Sequence, residues 1–155
     1  PFAPAQPEAP SNTRVAVVAS LPENVSDEWG KALATRDVLH VGDVASEALQ
    51  LVQSGDSLSN ASFVNCLQGK LFASAVDSQS LVWTATMQDP IAFGADTVVA
   101  RIDYSIAVGV GGAKVFGAAR WMLSNLNTPG WELVRWEDLS ESKSGMFAYC
   151  REGAK

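Results

Sequence analysis

At 155 residues, 47% hydrophobic and 18% charged, the chain has the length and apolar content of one ordinary domain, able to bury a core without metal or a disulfide framework. A formal net charge of −6 with only 11 scattered Lys and Arg excludes a nucleic-acid binder, because neutralising phosphates takes clustered cations. No stretch approaches the run of about 20 apolar residues that a membrane-spanning helix needs; the densest, SIAVGVGGAKVFGAARWML, is broken by glycines and by Lys114 and Arg120. The low charge content favours a chain with protein partners.

The chain opens on PFAPAQPEAP, with Pro1, Pro4, Pro7 and Pro10 at a strict period of three. That is the turn of a polyproline II helix, so residues 1–12 read as an extended arm, with Phe2 as an apolar anchor. Such an arm is either a stiff spacer or a docking segment with little entropy left to lose. A start at Pro1 rather than Met means either that a presequence has been removed, as in a processed protein of an organelle such as a plastid lumen, of the periplasm or of the extracellular space, or that the numbering starts inside a longer product. Residues 13–152 read as a single domain.

TRVAVVAS at 13–20 has the β-branched density of a buried strand. Ser26, followed by Asp27 and Glu28, predicts a helix cap for SDEWGKALAT, with Trp29 and Leu33 turned inward. DVLHV at 37–41 reads as a strand, and Asp43 as the cap of a helix through VASEALQLVQ that stops at Gly55. From Ser57 to Val76, Phe63, Leu67 and Leu71 fall at helical spacing, with Cys66 at the edge of their stripe.

Strands follow at 80–87 and 97–108; in the second the even residues Val98 to Val108 form the core face. Gly109, Gly111 and Gly112 predict a turn, Lys114–Phe116 a returning strand, and 117–127 a helix with Ala118, Trp121, Met122 and Leu126 on its apolar side. GWELVRW reads as a strand that is bulky on both faces. Trp131 and Leu133 would face that helix and the core, and Val134 and Trp136 either a second internal layer or a partner. MFAYC reads as a last strand after a loop at SESKSG.

Chemistry is sparse. His40 is the only histidine, so any Ser-His-Asp or Cys-His mechanism would have to run through it, and its place inside an apolar strand favours a residue satisfied by hydrogen bonds. The glycine cluster fits neither phosphate-loop pattern. Asp37, Asp43, Glu137, Asp138 and Glu141 read as solvated surface. Cys66 and Cys150 lack any zinc-ligand spacing and are either one long-range disulfide or two buried thiols. Asn24-Val-Ser26 and Asn60-Ala-Ser62 match the glycosylation pattern.

Two segments carry a resemblance. AFGADTVVARIDYSIAVGVGGAKVFGAA, residues 92–119, is similar to the helix-end, strand, glycine turn, strand pattern of small bacterial YbjQ-like domains, a family described as heavy-metal-binding. LSNLNTPGWELVRW with MFAYCRE, within 123–151, resembles small GWELV-type domains through Leu126, Asn127, Gly130, Trp131, Glu132, Leu133, Val134, Tyr149 and Arg151. The first resemblance implies a self-assembling ligand-binding or metal-binding domain; neither implies a catalytic residue.

These observations predict an α+β domain: a mixed, mostly antiparallel sheet with helices packed mainly on one face, preceded by the proline-rich arm. The function that fits is a non-catalytic interaction module, an accessory or stabilising subunit of a larger assembly. It would dock other protein subunits through Pro1, Phe2, Pro4, Pro7, Pro10, Val134 and Trp136, with peripheral membrane association through a partner. The alternatives are a self-assembling ligand or metal binder, and an enzyme of unassigned reaction. No catalytic residue, metal or cofactor is assigned.

Overall fold

The computed structural model describes residues 18–75, 81–108, 114–127, 129–139 and 144–153. The proline arm, most of the predicted strand at 13–20, the glycine turn and Glu141 lie outside these residues. Helix α1 spans Asn24–Thr35 and buries Val25, Trp29, Ala32 and Leu33, the spacing of one helical stripe. It begins two residues before Ser26; the Asn24 carboxamide instead accepts from the Leu21 N–H at 3.1 Å.

The next three elements invert expectation. Residues 38–44 form a helix, α2 (Val38–Val44), not a strand, because the Asp37 carboxylate accepts from the N–H groups of Leu39 and His40 and nucleates the turn. Residues 45–53 form a strand, β1 (Ala45–Gln53), not a helix. Gly55 is no helix stop: Ser54 and Gly55, at φ 47° and 87°, form a two-residue hairpin to β2 (Asp56–Leu58), and a turn with both central residues at positive φ matches the twist of the strands it joins.

Helix α3 (Asn60–Cys66) starts at the Ser59 cap, widens into a π-type turn at Leu67–Leu71 and ends in α4 (Phe72–Ser74), within the predicted 57–76. Strands β3 (Leu81–Ala92), β4 (Thr97–Val108), β5 (Lys114–Ser124) and β6 (Glu132–Asp138) complete one sheet of order β2-β1-β6-β5-β4-β3. It is antiparallel except for the β1–β6 pair. The predicted helix at 117–127 is the body of β5. Val115, Ala119, Trp121 and Leu123 are buried while Phe116, Arg120 and Met122 are exposed, a period of two that overrides the helical count. MFAYC belongs to a helix, α5 (Met146–Gly153), whose Tyr149 N–H donates to the Gly145 carbonyl.

The helices line one face of the sheet, and the core between is aromatic. Trp29 from α1, Phe63 from α3, Trp83 from β3, Tyr104 from β4, Trp121 from β5 and Trp136 from β6 form one contact network, with centroid separations from 5.2 Å (Tyr104–Trp136) to 6.1 Å (Trp29–Trp83). Such rings bury roughly 150–250 Å² apiece, an upper bound of about 4–6 kcal/mol each at ~25 cal/mol per Å². Trp131 sits at the rim, its N–H donating to the Ala19 carbonyl at 2.8 Å. Gly130 is required there: a Cβ would lie 2.3 Å from the Val18 side chain and 2.4 Å from the Ala19 oxygen.

Candidate functional site

Trp136 is 0% exposed and touches Trp29, Phe63, Trp83, Tyr104 and Trp121. It is therefore no docking residue, which corrects the expectation that it meets a partner; the second layer it faces is the protein's own helices. A register break between β5 and β6, after Met122, puts Leu133 and Trp136 both inside and leaves Val134 half-buried. Trp131 and Leu133 cannot face a helix at 117–127, since that segment is their neighbouring strand.

Several polar groups sit inside. Asp138, read from sequence as solvated, is buried, and accepts from the Phe147 N–H at 2.9 Å, the start of α5. The Tyr104 hydroxyl beside it accepts from the Met146 N–H at 2.8 Å; burial first, then the Asp138 charge, push the phenol far above its ordinary value. The Trp136 indole lies within electrostatic reach of that hydroxyl without a hydrogen bond of regular geometry, and the indole nitrogens of Trp29 and Trp121 are buried without a described partner. Glu132, 7% exposed, has one carboxylate oxygen with no partner among the described residues; burial raises its carboxyl, the Asn127 side chain lowers it, and the Glu47 charge raises it again.

His40 is held in α2 by Glu28 of α1, with Nε2 to Oε1 at 2.9 Å, and Lys31 reaches the other oxygen at 3.2 Å. This ties two helices together and presents no nucleophile. Both glycosylation motifs are engaged as well, since the Asn60 amide donates to the Ser46 carbonyl at 3.0 Å and the Asn24 side-chain oxygen accepts from the Leu21 N–H at 3.1 Å. Cys66 and Cys150 are joined in a disulfide between α3 and α5, and no group of three or more metal-ligating side chains occurs among the described residues. No described helix is long and apolar enough to cross a membrane.

Two surfaces remain. One is an open groove of about 520 Å³ between α1 and the start of β3, lined by Asp27, Gly30, Lys31, Ala34, Leu81, Val82 and Trp83. The other is the outer face of the sheet. Strand pairing sets Thr84, Ser105 and Phe116 in one row and Val99, Met122 and Arg135 in another. Val82, Phe116 and Met122 on it are 51%, 44% and 36% exposed, among the ion pairs Arg101–Asp103 and Arg120–Glu137. The sequence reading misses this face because it ends the strand at Phe116 and continues 117–127 as a helix, which separates Phe116 from Arg120 and Met122; period-two counting through Gly117 finds it.

No family model matches the chain, and no curated protein matches it. Solved structures do. A Thiobacillus denitrificans protein named for the calcium/calmodulin-dependent protein kinase type II association domain is 18% identical, with 80% of this chain and 99% of that one covered and a TM-score of 0.58. A nuclear transport factor 2-like (NTF2-like) superfamily protein of Salmonella enterica serovar Typhimurium is 13% identical over 79% and 89% of the two chains, at 0.55. The hexachlorocyclohexane dehydrochlorinase LinA is 10% identical over 77% and 82%, also at 0.55. The chain thus has the NTF2-like fold, a mixed α+β fold that in these neighbours accompanies both an enzyme name and an association-domain name.

Proposed function

We propose that this protein is a non-catalytic interaction module, an accessory or stabilising subunit that holds a protein partner against the outer face of its sheet. The observation that carries this reading is the division of the sheet into two unlike faces. The inner one is filled by the protein's own aromatic rings, and the outer one carries Val82, Phe116 and Met122 open to solvent among paired charges. An apolar patch rimmed by polar residues is the ordinary composition of a non-obligate interface. The lone histidine is spent on a helix-to-helix contact, which further favours binding over turnover.

The test is to isolate the native particle and identify its components, then repeat with Phe116→Asp and Met122→Asp. A stoichiometric protein partner that is retained by the parent chain and lost from both variants, whose own folding is unchanged, is the expected result. Retention of the partner by both variants removes the outer face from consideration. A lone chain whose turnover of a small molecule disappears in His40→Gln replaces this reading with an enzyme.

A further inference from the structure

The two edges of the sheet are built differently. One ends in β2, only three residues long, whose Asp56 is held by Arg151. The other ends in β3, twelve residues long and paired, among the described residues, only to β4. Exposed edges invite another strand, and proteins blunt them with short strands, charges, proline or bulges. In β3 these devices are confined to the far end, where Asp89 takes φ 46°, Pro90 follows and the register breaks between Gln88 and Ile91. Residues 81–88, LVWTATMQ, contain no charge, proline or glycine. They form a regular stretch of strand with one side unpaired among the described residues.

The α1–β3 groove runs along this same edge. From α1 it presents Asp27, Gly30, Lys31 and Ala34, spaced as one helical stripe, with an acid and a base one turn apart and two small residues between and beyond them. Among the described residues Lys31 bonds to Glu28 on its own helix, and its side chain is 65% exposed.

We propose that this edge is a self-association site for a second copy of the chain, β3 pairing antiparallel with β3 of the copy so that the two sheets become continuous. A two-fold axis across the edge sets each uncharged 81–88 stretch against its equal and brings Asp27 of each chain toward Lys31 of the other; Ala34, small and exposed, lets the two α1 helices approach, while Gly30 seats α1 on its own Trp83, where a Cβ would lie 2.9 Å from the indole Cδ1. An isologous contact must be self-complementary, and the acid-base pair on α1 is. Val82 lies at the corner shared by this edge and the outer face assigned to a partner protein, so the two sites are told apart by Asp27 and Lys31 on one and by Phe116 and Met122 on the other.

Sedimentation over a range of concentrations tests this directly. The expected parent species has twice the 16.4 kDa chain mass at high concentration. Asp27→Lys and Lys31→Asp, each at an exposed position, should raise the dissociation constant at least about tenfold, because each sets like charges together. The double swap Asp27→Lys with Lys31→Asp should recover most of the affinity, and Phe116→Asp should leave it unchanged. Amide exchange at 81–88 should slow as concentration rises. A parent chain that stays monomeric throughout, a dimer indifferent to the single charge changes, or a dimer lost in Phe116→Asp would each overturn the proposal.

Discussion

Trp136 fills the centre of a network of six rings, so its replacement by alanine removes a large apolar surface and leaves a void that neighbouring indoles cannot all close. Trp136→Ala should destabilise the fold by about 3–5 kcal/mol, read as a lower urea midpoint with loss of the near-ultraviolet dichroism of the coupled rings. Glu132 acts in the opposite sense. Its carboxyl is raised above the ordinary 4.5 chiefly by burial, so the folded state holds the proton more tightly than the unfolded chain does. Stability linked to this group is full below the ordinary value and is lost as pH rises through the raised one. Glu132→Gln should therefore increase the urea midpoint at neutral pH, and the gain should vanish in acid; a gain that persists below pH ~4 would mean that something other than ionisation was relieved.

Helix α5 has eight residues, too few to persist alone in water, and it is held at three points. Asp138 and Tyr104 bind its first N–H groups, Lys70 donates to the Tyr149 carbonyl at 2.8 Å, and the disulfide fixes Cys150 to α3. Closing a loop of 84 residues stabilises by about 4–5 kcal/mol in the chain-entropy account. The Cys66→Ser/Cys150→Ser double variant should accordingly unfold at markedly lower urea, with amide exchange rising first in α5. Elements of this kind are hard to read in sequence. MFAYC looks like a strand because aromatic residues crowd it, and its helicity comes from Asp138, eight residues upstream, and from a cysteine in another helix. The strand β1 is written in helix formers, Ala, Glu, Leu and Gln, and becomes extended because β2 and β6 supply its ladder. By contrast β4 was legible to the residue, because one of its faces alternates cleanly from Val98 to Ile106 and no tertiary tie is needed to explain it.

For the whole molecule, the mixed sheet with helices on one face was readable from the alternation in β4 and the stripe of α1. The division of labour between the faces was not. It depends on β5 continuing through Gly117 as a strand, and on a break opposite Met122 that sends Trp136 inward rather than toward a partner. The tryptophan count drew attention to binding, yet four of the five rings pack in the core network and Trp131 lies at its rim. Smaller residues, Phe116, Met122, Asp27 and Lys31, carry the two proposed contacts instead.

The bond between Cys66 and Cys150 also determines how the molecule carries mechanical load. Tension applied at the two ends of the chain passes from α3 directly into α5 through sulfur, so the backbone of β3, β4, β5 and β6 lies off the force path. The 84 residues spanned by the bridge, roughly 280–300 Å of extended chain, become available to stretching only after it is reduced.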